Sequence, residues 1–209
     1  NLLTEKSLYE FEKYYYSYLN NFDKIMSEHY CKQTKEITDI IKSKKNLKIL
    51  EVGCGCGTES LWFSINNAKV TGLDLRKERL EAGLERKINF EKHFGVQLDI
   101  KFIFSDLFDF VENNKNEYFD IIFMEQAYHH IEPRNKLIPA LKKLLKKEGY
   151  IIISEANALN PLIQIGLLKL RGFKTVKKFI DADGKERMYG NERITRKSSL
   201  IKSFEKEGF

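Results

Sequence analysis

Residues 49 to 57 read Ile-Leu-Glu-Val-Gly-Cys-Gly-Cys-Gly, an apolar run ending in a glycine at every second position, and the next apolar run downstream closes on Asp74. A strand feeding a glycine loop predicts a nucleotide-type ligand on an α/β sheet. Gly53, Gly55 and Gly57 permit a tight turn and let a ligand come close to the main chain. Asp74 follows the last glycine by seventeen residues, where two carboxylate oxygens can accept from the vicinal hydroxyls of a ribose.

What the loop lacks narrows the ligand. A dinucleotide fingerprint places a third glycine where the helix packs on the strand and meets a pyrophosphate, and that position is Thr58 here. No Gly-Lys-Ser/Thr ending of a phosphate-binding loop occurs in the chain. Glu51 stands just before the glycines, where its charge repels a pyrophosphate and suits the ammonium of an amino-acid-bearing nucleoside. The cofactor that fits is S-adenosylmethionine, with S-adenosylhomocysteine as its product.

In order along the chain, ILEVGCGCGTESLWF, VTGLDL, FSDLFDF, YFDIIFMEQAYHHIE and KKEGYIIISEAN resemble the successive motifs of class I S-adenosylmethionine-dependent methyltransferases of the small-molecule type. The resemblance runs over residues 47 to 209. It implies that Glu51, Gly53, Gly55 and Gly57 hold the methionine moiety, with Cys54 inside the same loop. It further implies that Asp74 binds ribose and Leu75 packs on adenine. Asp106, with Leu107, caps the adenine amino group, and Glu125 joins the set at the end of the fourth strand.

At 209 residues with 42% hydrophobic side chains, the chain is the size of one large domain with material for a core. No apolar run reaches eighteen residues and the start is no basic-apolar signal, which predicts no transmembrane segment and a cytoplasmic protein. Cys31, Cys54 and Cys56 make no disulfide framework, and Cys54 with Cys56 has no further ligands nearby in sequence, so no metal site is expected. The net charge of +6 is concentrated in residues 161 to 209, which hold twelve Lys or Arg against six Asp or Glu. That third could meet an anionic substrate, a membrane surface or RNA, or be a solvated surface.

Short apolar runs at residues 47 to 52, 69 to 73, 99 to 104, 118 to 124 and 149 to 154 alternate with helical patterns near 58 to 66, 76 to 93 and 134 to 147. The alternation predicts a Rossmann-like, doubly wound, mostly parallel sheet. Right-handed crossovers then bring Gly53, Asp74, Asp106 and Glu125 to one edge of it. Residues 1 to 46 are expected to form a helical cap: an apolar stripe runs from Leu8 to Tyr30. The resemblance implies that Tyr14, Tyr15, Tyr16 or Tyr18 lines the substrate pocket. A cap insertion is expected over about 157 to 195, with a helix after Pro161, a basic and apolar patch at Phe173 to Ile180 and a turn at Asp181 to Gly184. Ser198 to Lys206 reads as a last helix. In the family a Gly-Phe such as Gly208-Phe209 precedes a sixth and a seventh strand beside the fifth, so the chain is expected to be a fragment of a longer protein.

His129 and His130 follow the fourth strand at the ligand edge and are the catalytic candidates, as base or as brace. The resemblance suggests that His130 braces the loop and His129 faces the substrate. Glu125-Gln-Ala-Tyr lacks the Asn/Asp-Pro-Pro-aromatic motif of nucleobase and glutamine methyltransferases. The expected acceptor is therefore a small molecule or a lipid-linked one, methylated at oxygen. RNA or protein methylation is the alternative, and a non-catalytic cofactor-binding subunit is the alternative of another class.

Overall fold

The computed structural model describes Tyr9 and residues 34–114, 117–181 and 183–209. Apart from Tyr9, the expected helices of residues 7 to 30, with their four candidate tyrosines, lie outside that set. After a helix α1 (Lys35–Ser43) come β1 (Lys48–Val52), α2 (Thr58–Ile65), β2 (Lys69–Asp74), α3 (Lys77–Phe94), β3 (Ile100–Phe104), α4 (Leu107–Asn113) and β4 (Phe119–Glu125). A single 3-10 turn (Tyr128–His130) leads to α5 (Arg134–Leu144) and β5 (Leu145–Ser154). The chain continues through α6 (Pro161–Arg171), the hairpin strands β6 (Val176–Ile180) and β7 (Glu186–Gly190), and α7 (Lys197–Lys206).

Strands β1 to β5 form a parallel sheet, as the alternation predicts, in the order β3-β2-β1-β4-β5. Because the side chains of a strand alternate between faces, each central strand feeds two cores. Leu50, Val52, Ile122 and Met124 join Leu137, Leu141 and Leu144 of α5 on one face. Ile49, Ile121 and Phe123 join Ile37 and Ile41 of α1 and Phe63 of α2 on the other. Burial on both faces is why these strands read as unbroken apolar runs rather than alternating ones. The order reverses between β1 and β4, and a doubly wound sheet opens a crevice at such a reversal, beyond the carboxyl ends of its strands.

Three segments complete or alter the expected picture. The helix expected to reach residue 147 stops at Leu144, and Leu145 already pairs with Phe119. The next pair in that register is Ile121 with Tyr150, so residues 146 to 149 loop out of the ladder. Lys146 crosses to Asp120, with its Nζ 2.8 Å from Oδ1. Second, β5 is the sheet edge among the described residues. Its Ile151, Ile152 and Ile153 are half-buried, and Leu200 and Phe204 of α7 pack on the same core as Ile151 and Ile153. Third, the basic and apolar patch at Phe173 to Ile180 contributes β6 of an antiparallel hairpin that closes on β7 around the predicted turn. The helix before it starts as the sequence signals: Asn160 Oδ1 accepts from Leu162 N at 3.0 Å and Pro161 takes the first turn.

Candidate active site

At the β1–β4 reversal lies a cleft of ≈ 1180 Å³. Its floor is the glycine loop. Gly53 sits at φ +79°, and a Cβ there would stand 2.6 Å from the Cβ of Ala127. Gly57 sits at φ +67° in front of α2, where a Cβ would run into the Phe102 ring. Both positions therefore need glycine for conformation and for space. The loop is fastened by its own backbone, since Gly53 N and Cys54 N both donate to Leu73 O, at 2.8 and 2.9 Å. Arg86 of α3 fastens it again, donating at 2.8 Å to Cys56 O and to Thr58 Oγ1. Thr58, where a dinucleotide site has glycine, thus serves as an anchor of the loop.

Carboxylates ring this floor. Asp74 Oδ2 accepts from Gly55 N at 2.9 Å and Oδ1 from Arg76 N at 2.8 Å, while burial raises its pKa above the ordinary carboxylate value. Glu51 is buried behind the loop and accepts from Ser60 Oγ. Its burial, the charge of Glu59 and those of Asp74 and Glu125 push its pKa well above the usual range. Asp106 caps α4 by accepting from Phe108 N at 2.8 Å, and burial raises it as well. A site that gathers this many carboxylates favours a cationic ligand and opposes a pyrophosphate.

The structure brings Gly53, Cys54, Gly55, Asp74, Leu75, Asp106, Leu107, Glu125 and His130 to the cleft wall; Glu51, Gly57 and His129 stand behind it. Of the two histidines it is His130 that lines the cleft, whereas His129 was expected to face the substrate. His129 is buried, with Nδ1 2.6 Å from Glu155 Oε2 and its backbone N donating to Glu155 Oε1 at 3.2 Å. His130 faces the cleft, and burial lowers its pKa. The reason is the strand that ends beside them: β5 delivers Glu155 to His129, a partner that neighbouring sequence does not reveal.

The roof is the β6–β7 hairpin, which supplies Lys177, Phe179, Met188 and Tyr189 to the cleft. Tyr189 stacks on His130 with ring centroids 4.4 Å apart and planes 17° apart, and burial together with Glu192 pushes its phenol up to about 12. Arg187 ties the hairpin down. It pairs with Asp109 of α4, lies 2.8 Å from Asp181 Oδ2 in the hairpin turn, and reaches within 4.0 Å of Asp106. Neither Arg187 nor Tyr189 announces itself in sequence, because each acts on partners some sixty to eighty residues away.

A family model described as a methyltransferase domain matches residues 43–193. The chain belongs to the class I S-adenosylmethionine-dependent methyltransferases. Among its relatives, the ubiquinone biosynthesis O-methyltransferase of Vibrio atlanticus is 30% identical over 155 residues, 74% of this chain and 60% of that protein. Phosphoethanolamine N-methyltransferase 3 of Arabidopsis thaliana is 29% identical over 127 residues, 58% of this chain and 24% of that one. This methyltransferase chain therefore spans less than two thirds of the length of both relatives. Among solved structures, a Pyrococcus horikoshii protein superposes with a TM-score of 0.58 at 17% identity, over 91% of this chain and 88% of its own. Phosphoethanolamine N-methyltransferase 2 of Haemonchus contortus, in complex with S-adenosyl-L-methionine, gives 0.56 at 19%, over 79% of this chain and 34% of that one. These two likenesses show the shared fold. No helix among the described residues of the methyltransferase is long and apolar enough to cross a membrane.

Proposed function

We propose that this methyltransferase moves the methyl group of S-adenosylmethionine to a small-molecule acceptor, with oxygen as the receiving atom. The observation that carries the reading is the set of carboxylates at the glycine loop: Glu51, raised by burial and by the charges of Glu59, Asp74 and Glu125, and Asp74, raised by its own burial. It suits a ligand with a sulfonium and an ammonium, and Asp74 at the end of β2 is placed for a ribose. In this reading Glu51, Gly53, Cys54, Gly55 and Gly57 hold the methionine end, Asp74 and Leu75 the ribose and adenine, and Asp106 and Leu107 the far edge of the base. The cofactor supplies an electrophilic methyl carbon on positively charged sulfur.

The chain's own task is to align and to enclose. The hairpin roof excludes water above the cofactor, and Tyr189 with Phe179 offers an apolar wall to the acceptor. The acceptor oxygen forms its new bond to the methyl carbon as the carbon–sulfur bond breaks, and S-adenosylhomocysteine leaves. The acceptor's proton goes to His130 on the wall or to water. The names of the relatives support a small acceptor, one an O-methyltransferase and the other an N-methyltransferase. Nitrogen is thus the second reading.

The test is methyl transfer from labelled S-adenosylmethionine to a panel of hydroxylated aromatics and of primary amines, phosphoethanolamine included. Label in a hydroxylated acceptor is expected. Label in amines alone would replace the oxygen reading, and label in RNA or protein alone would remove the small acceptor. A His130→Ala variant should lose about 100-fold or more in kcat if the imidazole is the base.

A further inference from the structure

His129 and His130 turn their remaining nitrogens toward one carboxylate. His129 Nε2 lies 3.4 Å from Glu192 Oε2, and His130 Nε2 lies 3.8 Å from Glu192 Oε1. One ligand atom from each of the three residues falls within 4.8 Å of the others. Both Nδ1 atoms are already committed. That of His130 is 2.8 Å from Gly190 O, a carbonyl that can only accept, so Nδ1 carries the hydrogen. That of His129 is 2.6 Å from the Glu155 carboxylate, which fixes its tautomer in the same way. Each imidazole thus keeps its Nε2 on the Glu192 side, where in the neutral form that nitrogen can take a metal ion.

We propose that His129, His130 and Glu192 bind a divalent transition-metal ion, zinc first. Two imidazoles and one carboxylate make a recurrent zinc set, and nitrogen donors count against magnesium and calcium, which take oxygen. Donor atoms about 2.0–2.2 Å from a tetrahedral zinc stand about 3.3–3.6 Å apart, so a set with one atom from each residue within 4.8 Å of the others would close by up to about an ångström on binding. The outer contacts match as well. A metal-bound histidine commonly donates its other N–H to a carboxylate or a backbone carbonyl, and Glu155 and Gly190 fill those two places. Gly190 is also the residue that allows this approach, because a Cβ there would run into the carbonyl of His129. Three protein ligands leave a fourth position for water. His130 borders the cleft, and an oxygen bound there would ionise more readily, the task otherwise left to His130 as base.

The binding itself does not depend on the acceptor or on methyl transfer, and it is tested without either. Chelator-stripped, tag-free protein is titrated with zinc chloride and with magnesium chloride by calorimetry, and X-ray absorption is recorded on the zinc-loaded form. One equivalent of zinc should bind at micromolar concentration or tighter, magnesium should not, and the absorption should show nitrogen and oxygen at about 2.0–2.2 Å. Glu192→Gln and His130→Gln should each weaken zinc at least tenfold, and Glu155→Gln, which touches no ion, about 10- to 100-fold. Circular dichroism melts identify which of the three variants fold, and Glu192, a third exposed, is the mildest change. No stoichiometric zinc in the wild type would reduce the cluster to an imidazolium–carboxylate pair and overturn the proposal. So would a sulfur shell, or wild-type zinc binding in the folded variants.

Discussion

Glu51 is a buried carboxylate beside other carboxylates, and its proton should report on the cofactor. Its folded pKa is raised above the ordinary 4.5, by burial first and by Glu59 next. A raised carboxylate contributes stability fully below its unfolded value, and the contribution is lost as the pH rises through the folded value. The ligand-free protein should therefore lose stability over that window, while a ligand of net positive charge favours the ionised form. Cofactor affinity should rise with pH across the same window, and binding should release a proton. Calorimetric titration of S-adenosylmethionine at mildly acidic pH, in two buffers of different ionisation enthalpy, measures that proton directly. Release should be larger in the wild type than in Glu51→Gln; equal release from both would remove Glu51 from the linkage. The glycine loop, Glu51 and Asp74 were legible in sequence because their roles are local, set by a turn and by the ends of two adjacent strands. Arg86, Glu155 and Glu192 were not legible, since each gains its meaning from a partner that only the fold brings near.

The hairpin of β6 and β7 is the element that turns an open sheet edge into a covered cleft, and Arg187 is its fastening. Asp109 leads in raising the guanidinium's pKa above its ordinary value, and the same contact holds Asp109 low. Hydrogen bonds to charged groups contribute about 1.5–3 kcal/mol, so Arg187→Met should raise the local opening population of the hairpin about tenfold or more. Hydrogen exchange read by mass spectrometry should then quicken in residues 176–190 while β1 and β4 keep their protection. Unchanged exchange in the hairpin would show that the Tyr189–His130 stack alone holds the roof. The hairpin escaped sequence reading for a physical reason. Val176–Ile180 and Glu186–Gly190 are short and half polar, and neither has the unbroken apolar run that marks a strand buried on both faces. The overrun of α5 has the opposite cause, because the lysines after Leu144 suit a helix locally while Leu145 already pairs with Phe119 of β4.

At the scale of the whole molecule, the five-stranded sheet and the cofactor cleft are one construction, since the loop after β1, the end of β2 and the turn after β4 meet only when the sheet is ordered. A ligand that binds this edge must therefore stabilise the entire fold. At a hundredfold excess over its Kd such a ligand adds about 2.7 kcal/mol to the folded state. For a domain of this size each kcal/mol moves Tm by about 2–4 °C, so S-adenosylmethionine or S-adenosylhomocysteine should raise it by about 5–11 °C. Asp74→Ala removes a charge-assisted contact of about 1.5–3 kcal/mol, which weakens binding roughly tenfold to a hundredfold. At the same ligand concentration the added stability falls to between about 0.4 and 1.4 kcal/mol, and the shift in Tm shrinks by about half or more. Scanning calorimetry with each ligand, and with NAD as a pyrophosphate control, checks both figures. A Tm raised by NAD and untouched by S-adenosylmethionine would mean that the carboxylate ring does not select the ligand. An undiminished shift in Asp74→Ala would mean that the ribose is held elsewhere than at the end of β2.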